Sequence, residues 1–179
     1  LGKAQALDSV LDAAEIVQKN VPSVRFIFVG DGVEVDRLKR LVETKQLTNI
    51  VFIPKVPMSE VGAILQRADV LLVHLKNDPL FAITIPSKTQ AYMSMGKPIL
   101  MAVRGDAADV VEWASCGKLA QPEHAVSIAA AVKELAGMTS EDLQKMGARA
   151  KEYYENNLSL RTGIAQFGLI FDALAKTPR

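Results

Sequence analysis

Residues 69–103 read DVLLVHLKNDPLFAITIPSKTQAYMSMGKPILMAV, and no other stretch is as informative about the fold. Two apolar runs, 69–75 and 98–103, enclose a more polar segment. Continuous Val/Ile/Leu runs between helical patterns are typical of parallel strands that are covered on both faces. The stretch therefore predicts a strand, a long loop, a helix over 87–95 that Ser87 caps, and a second strand.

The same alternation continues outward on both sides of this stretch. Right-handed connections between such strands give an α/β fold, a Rossmann-like doubly wound parallel sheet with helices on both faces. We interpret 1–179 as one domain. Because the chain is helical almost at once, we expect it to start inside a larger protein, with a first strand before Leu1. The sequence predicts helices at 5–19, 33–46, 58–67, 87–95, 106–115, 123–136, 139–156 and 160–175, and strands at 24–29, 50–53, 69–75, 98–103 and 117–121.

The composition is that of a globular protein and excludes several classes of function. Hydrophobic residues make up 49% and charged residues 23% of the chain. The net charge of +1, from 21 basic and 20 acidic residues, gives no support for binding to nucleic acid. A lone cysteine, Cys116, excludes an intrachain disulfide and is interpreted as a buried filler. No apolar run is long enough for a membrane span, and no signal peptide is visible.

Candidate binding residues follow from the sheet, because ligands bind beyond the carboxyl ends of parallel strands. Lys88 lies in the first turn of a predicted helix that follows one such strand end, between Ser87 and Thr89. An ammonium group beside free backbone N–H groups suits a diphosphate. His74 ends a strand and is interpreted as a packed or rim residue. No cluster of His, Cys, Asp and Glu has the spacing of a metal site, so no metal is expected.

The block Pro86-Ser87-Lys88, followed by Tyr92-Met93 and Gly96-Lys97-Pro98, resembles the donor-binding segment of the GT-B glycosyltransferases. Within these enzymes it is most similar to the retaining group called glycosyltransferase family 4, and there to bacterial polysaccharide and O-antigen transferases. The resemblance covers nearly the whole chain and would make it the C-terminal, donor-binding domain. It implies that an N-terminal acceptor domain, absent from this chain, holds the acceptor site and the catalytic residues.

The resemblance also implies an activity, partners and a location. A hexosyltransferase-type enzyme would transfer a sugar, with retention, from a nucleotide sugar that is UDP-linked or similarly activated. The acceptor would be a saccharide or a lipid-linked glycan in cell-surface polysaccharide synthesis, and neither a metal nor a cofactor would be needed. The implied location is the cytoplasm, with any contact to the inner membrane face made by the missing domain. Without that domain, this chain should be inactive.

Site residues carry over only where the motifs match. Gly30-Asp31-Gly32 resembles the Gly-x-Gly turn of the family, although a simple turn explains Asp31 as well as a role in the crevice does. Lys55 and Val56 belong to the segment whose backbone meets the nucleotide base. Ser87, Lys88 and Thr89 would hold the diphosphate.

The sequence also departs from the family pattern. The paired glutamates of the family fall at Ile83 and Ala91, which cannot bond to sugar or ribose hydroxyls. The basic residue that the family places before the first helix falls at Gln5, with Lys3 nearby as a possible diphosphate contact.

Two other functions fit parts of the pattern. The loss of both glutamates also suits a catalytically degenerate ligand-binding or interaction module with the same fold. A nicotinamide-dependent oxidoreductase would need a third glycine after Gly30-Asp31-Gly32, but that position is Val35. Because the turn also follows an internal strand, this last hypothesis is the weakest.

Overall fold

Five short parallel strands carry the fold in the computed structural model, which describes residues 1–175. Each predicted strand is present, although most are shorter than the apolar run that predicts them. The last four residues of the predicted domain lie outside the described residues. The strands are β1 (Phe26–Val29), β2 (Ile50–Ile53), β3 (Leu71–His74), β4 (Ile99–Ala102) and β5 (Gly117–Leu119).

Helices alternate with the strands as the apolar periodicity predicts. One short helix, α4, falls inside the predicted long loop, where Asp78 caps it by accepting a hydrogen bond from the Leu80 amide. A 3-10 turn (Lys3–Gln5) precedes α1, and a π-helical turn (Tyr154–Leu158) joins α8 to α9. The helices are α1 (Leu7–Asn20), α2 (Val35–Thr44), α3 (Met58–Gln66), α4 (Pro79–Ala82), α5 (Ser87–Ser94), α6 (Asp106–Trp113), α7 (Ala125–Ala136), α8 (Ser140–Tyr153) and α9 (Leu160–Ala175).

Both faces of the sheet are covered, and β4 shows this most clearly. All four of its residues are buried. Successive side chains in a strand point to opposite faces. Leu100 and Ala102 belong to a core shared with α1 and α7, whereas Ile99 and Met101 belong to a second core shared with α5 and α6. The prediction of an α/β fold with parallel strands between two helical layers is therefore confirmed.

The strands form two hydrogen-bonded groups, β1–β2 and β3–β4–β5. The Phe26 and Gly30 amides donate to β2 or to the residues flanking it, at 2.8 and 3.0 Å. Because backbone groups alternate in direction along a strand, those of Ile27 point to the other edge of β1. The same alternation turns Leu72 away from β4. Within residues 1–175, neither edge has a partner strand.

The segment before α1 spans the carboxyl ends of β1 and β3. Leu1 O accepts a hydrogen bond from the Glu34 amide at 3.3 Å, in the loop that follows β1. Ala4 O accepts one from the Lys76 amide at 2.9 Å, just beyond β3. This edge of the sheet is where ligands of doubly wound folds bind, so the first residues of the chain lie at the expected site.

Several large apolar side chains are exposed in this structure. Trp113 is 70% exposed, so its side chain does not belong to the core. Helix α9 carries an apolar stripe that no other described element covers. Its exposed side chains are Leu160, Ile164, Phe167, Leu169, Ile170, Phe171 and Leu174.

Candidate functional site

The turn after β1 contains two of the predicted site glycines, and close packing explains one of them. Gly32 has a φ of 147°, and a Cβ there would lie 2.2 Å from the carbonyl oxygen of Leu1. Gly30 has a φ of 117° with open space around it. Asp31 Oδ1 accepts a hydrogen bond from the Gly32 amide at 2.7 Å. Asp31 thus bonds within its own turn, and its role in donor binding stays a prediction.

The predicted diphosphate contacts lie in the first turn of α5, which the chain reaches from the carboxyl end of β3. Ser87 and Lys88 are exposed, and amides at this position have no intrahelical acceptor. The capping prediction for Ser87 is wrong: Pro86 is the N-cap residue, and its carbonyl accepts from the Thr89 amide at 2.8 Å. The Thr89 side chain is fully buried, so its hydroxyl does not reach the surface that presents Lys88.

Lys55 and Val56 follow β2 at the same edge of the sheet. Lys55 is exposed and Val56 is half-buried. Their placement beyond a strand end agrees with the predicted contact to a nucleotide base. Neither residue lines either of the two clefts described next.

A cleft of about 640 Å³, here called the lysine cleft, lies between the start of α1 and the ends of β1 and β3. It brings the predicted Lys3 together with a cation that sequence reasoning missed, Lys76. Its other charged lining residues are Asp8, Asp12, Glu34, Arg37 and Glu123.

Arg37 forms ion pairs with two of the carboxylates that line the lysine cleft. Its guanidinium donates to both carboxylate oxygens of Asp8, at 2.6 and 2.8 Å, and to Glu34 at 2.7 Å. These hydrogen bonds lower the pKa of Asp8 and raise the pKa of Arg37. Arg37 is thereby occupied by carboxylates and is a poor candidate for binding another anion.

The remaining two carboxylates of the lysine cleft also have partners. Asp12 lies 2.9 Å from the ammonium of Lys45, and Glu123 accepts a hydrogen bond from the Asn77 amide at 2.7 Å. In the described part of the chain, no ion pair involves Lys3 or Lys76. The cleft thus presents two ammonium groups outside any described ion pair, beside four carboxylates of which Arg37 and Lys45 pair three. Lys3 and Lys76 are the cations that remain available to an anion.

A second cleft of about 330 Å³ adjoins the first and shares Lys76 with it. Here Arg104, which directly follows β4, adds an exposed guanidinium beside Phe81. Gly105, the next residue, has a φ of 73°, and a Cβ there would lie 2.0 Å from Ala82 O. Close contact between Gly105 and the end of α4 thus places Ala82 near Arg104, and both residues line this cleft.

The carboxyl-end rule already contained the signal for both missed cations. Lys76 follows β3 by two residues and Arg104 follows β4 by two.

His74, the last residue of β3, is buried at 5% exposure, which confirms that it is a packed residue. Its Nδ1 lies 2.6 Å from Gln5 O, and its Nε2 accepts from the Glu123 amide at 3.0 Å. The Ser9 hydroxyl lies 3.2 Å from the same Nε2. Burial is the main cause of a lowered pKa for His74, so the imidazole is neutral near pH 7.

The structure also shows where the residues lie at which the sequence departs from the family pattern. Ile83 is 74% exposed and Ala91 is exposed as well, and neither side chain can form a hydrogen bond. Gln5 Oε1 accepts from the Gly2 amide at 2.6 Å, so its side chain closes the 3-10 turn. Because Gln5 is uncharged and its side chain is already bonded, Lys3 is the candidate cation at this end of the chain.

Cys116 is fully buried, and desolvation raises the pKa of its thiol to about 11, in agreement with a packing role. Among the described residues, no group of three or more His, Cys, Asp or Glu side chains is arranged to hold a metal ion. None of the helices between residues 1 and 175 combines the length and apolar character that a bilayer crossing requires.

Comparison with known proteins gives one family and several relatives. The family described as "Glycosyl transferases group 1" matches residues 1–153. The probable glycosyltransferase WbjE of Pseudomonas aeruginosa is 25% identical over 169 residues, which cover 93% of this chain and 41% of that protein. The putative colanic acid biosynthesis glycosyltransferase WcaL of Salmonella typhimurium is 27% identical over 154 residues, covering 85% of this chain and 38% of that protein.

Solved structures show the same fold. HepE of Anabaena, crystallised with UDP and glucose, superposes with a TM-score of 0.74 at 20% identity, covering 99% of this chain and 46% of that one. The chain spans about two fifths of the length of the curated relatives that it matches.

Proposed function

The chain belongs to the group 1 glycosyl transferases, and we propose that it is the donor-binding domain of a retaining glycosyltransferase. The whole enzyme would transfer a hexose from a UDP-sugar to a glycan or a lipid-linked acceptor in cell-surface polysaccharide synthesis. The observation that carries this proposal is the pair of lysines outside any described ion pair, Lys3 and Lys76, at the carboxyl edge of the sheet.

The chemistry of sugar transfer explains why such a pair is needed. When the bond between the sugar and the diphosphate breaks, negative charge develops on the departing nucleoside diphosphate. Fixed cations and free amides aimed at that charge lower the barrier without a metal. Lys3, Lys76 and the exposed tip of α5 with Lys88 would supply them, and no metal or cofactor enters this proposal.

Two of the relatives support the choice of donor and product. HepE is crystallised with UDP and glucose, and WcaL is named for the biosynthesis of colanic acid. From these we infer a UDP-sugar donor and a polysaccharide product. The enzyme would work in the cytoplasm, and any contact with the inner face of the membrane would be made by another domain.

The second half of the proposed enzyme is an acceptor-binding domain on the N-terminal side. The share of the relatives that this chain spans leaves room for it. The uncovered apolar stripe of α9 is a surface that such a domain could bury. We further propose that a strand from the preceding segment fits between the unpaired edges of β1 and β3, because residues 1–5 already link the ends of these two strands.

Isothermal titration of UDP into the full-length protein tests donor binding. We expect the wild type to bind UDP and the Lys3→Ala/Lys76→Ala variant to bind about tenfold to a hundredfold more weakly, as for the loss of charge-assisted contacts. Lys133→Ala, an exposed lysine at the end of α7, is the matched control and should leave the affinity unchanged. Equal affinity of the double variant and the control would exclude this site.

A catalytically degenerate binding module is the second candidate, and the exposed Ile83 and Ala91 favour it. Their side chains offer no hydrogen bonds to ribose or sugar hydroxyls. A transfer assay with UDP-glucose and other UDP-sugars, using lipid-linked and saccharide acceptors, separates the two. Binding of UDP without transfer to any acceptor would favour the module over the enzyme.

A further inference from the structure

We infer that His74 is a positioning residue that fixes Lys3 and Lys76 relative to each other on the wall of the lysine cleft. This inference rests on the proposed function, since it concerns how that anion site is built. His74 itself is buried at 5% exposure and is not among the residues that line either cleft. It would act through the two loops that carry the lysines.

The imidazole joins three separate parts of the chain. It belongs to the end of β3, two residues before Lys76. Its Nδ1 bonds to the carbonyl of Gln5, two residues after Lys3, at 2.6 Å. Its Nε2 accepts from the amide of Glu123, in the loop before α7, at 3.0 Å.

The contacts to Gln5 and Glu123 together permit only one protonation state of the ring. The Ser9 hydroxyl fits that state when it donates to Nε2 instead of to Ala6 O. Gln5 O is an acceptor, so Nδ1 must carry a hydrogen. The Glu123 amide is a donor, so Nε2 must offer its lone pair. The tautomer with hydrogen on Nε2 would break both contacts, and the imidazolium would break the second. The ring therefore acts as a fixed link between a donor and an acceptor on two loops.

Both loops contain a strained residue beside this link. Ala6 has a φ of 41° and Glu123 a φ of 55°, in the left-handed region that non-glycine residues rarely adopt. Such residues persist where the surrounding structure over-determines them, and they cluster at functional sites. Strain on both sides of one buried histidine indicates that the loop positions are held for a reason beyond chain connectivity.

Further hydrogen bonds extend the link to the lysines. The Lys76 amide donates to Ala4 O at 2.9 Å, which places the loop after β3 against the 3-10 turn that carries Lys3. Glu123 Oε2 accepts from the Asn77 amide at 2.7 Å, which holds the residue next to Lys76. Without the imidazole, only these two hydrogen bonds would hold the two loops in their strained conformations.

A thermodynamic cycle on UDP affinity of the full-length protein tests the inference. We expect His74→Phe to weaken UDP binding on the order of fivefold, and the donor KM to rise with little change in kcat. In the Lys3→Ala/Lys76→Ala background, His74→Phe should cause no further loss of UDP affinity, because the ammonium groups that His74 positions are gone. His74→Gln retains one donor and one acceptor and should show a smaller loss than His74→Phe.

The outcomes separate this inference from the proposed function. If His74→Phe lowers affinity by the same factor with and without the two lysines, His74 does not act through them. If Lys3→Ala/Lys76→Ala binds UDP as the wild type does, the proposed function fails first.

A donor-free measurement covers the case in which His74→Phe does not fold. Imidazole nitrogen chemical shifts of the wild-type protein should show His74 with hydrogen on Nδ1 only. Hydrogen exchange of His74→Gln should be faster than wild type at the amides of Lys76 and Glu123, and unchanged in α6. A ring with hydrogen on Nε2, or unchanged exchange at both amides, would overturn the inference.

Discussion

The residues on which the proposed donor site depends are two lysines outside any described ion pair, in a cleft where cations pair three of the four acids. Arg37 is closer to the carboxylates of the lysine cleft than either lysine and binds two of them. Arginine forms such bidentate contacts readily, whereas lysine acts as a point charge. Carboxylate pairing by Arg37 and Lys45 thus leaves Lys3 and Lys76 available for a ligand.

Lys88 belongs to the same hypothesis but to a separate element. In the full-length enzyme, Lys88→Ala should weaken donor binding and slow transfer, at a cost of about 1–3 kcal/mol for one charge-assisted contact. Steady-state kinetics with a UDP-sugar measure this cost, with Lys133→Ala as the control. Kinetics equal to those of the wild type would remove Lys88 from the site.

The lowered pKa of His74 makes stability depend on pH. Burial disfavours the charged ring in the folded state, although the charge of Glu123 partly opposes this. The unfolded chain binds a proton near the ordinary histidine pKa of about 6.5. The stabilising contribution is thus present above that pH and is lost as the pH falls below it. Urea titrations of the wild type and His74→Gln between about pH 5 and 8 should show a steeper loss for the wild type. If the free energies of unfolding of the two proteins change in parallel with pH, His74 is not the origin of this pH dependence.

Some residue-level features were readable from the sequence and others were not. Burial of Cys116 and the turn role of Asp31 followed from residue type and neighbours. Ser87 is not the N-cap, because Pro86 has an extended backbone with a ψ of 139° and its carbonyl accepts the first hydrogen bond of the helix. The pairing of Arg37 with Asp8 joins residues that are 29 positions apart, which only the fold brings together.

The strands and long helices follow from periodicity, whereas short elements depend on local bonds. The apolar runs predict β1 to β4, and burial is most complete for β3 and β4, which lie between helices. Helix α4 is only four residues long, too short to show a period. Its signal was the pair Asp78-Pro79, a capping residue followed by proline in the first helical position.

The packing of α4 against the start of α6 can be tested at Gly105. A Cβ at this position would lie 2.0 Å from Ala82 O, on a backbone with a φ of 73°. Gly105→Ala should lower the free energy of unfolding by about 2–4 kcal/mol through clash and strain. Urea unfolding measures the change.

Gly62→Ala is the matched control for this substitution. Gly62 lies within α3 with nothing near its would-be Cβ, so alanine there should stabilise by up to about 1 kcal/mol. Equal stabilities of the two variants would show that Gly105 is not required by close packing.

As a whole, the molecule has the features of one half of a larger assembly. Its strands form two groups with unpaired edges at β1 and β3, and its last helix presents an apolar stripe. The fold class could be predicted from the sequence, because helices alternate with buried strands throughout. The division of the strands into two groups could not, because periodicity carries no information on which edges pair.

The exposed stripe of α9 gives a test of the proposed acceptor domain. In the full-length protein, Phe167→Glu should lower the free energy of unfolding by about 2–4 kcal/mol, because a second domain would bury this ring. Val126→Glu, at a position 64% exposed on α7, should stay within about 0.5 kcal/mol of the wild type. If both substitutions are equally mild, α9 faces solvent in the full-length protein as well.

A crystal structure of the full-length protein with UDP tests the donor site most directly. We predict that the diphosphate lies at the carboxyl edge of the sheet, within hydrogen-bond distance of the ammonium groups of Lys3 and Lys76 and facing the first turn of α5. UDP bound elsewhere, with both lysines pointing into solvent, would contradict the proposed site.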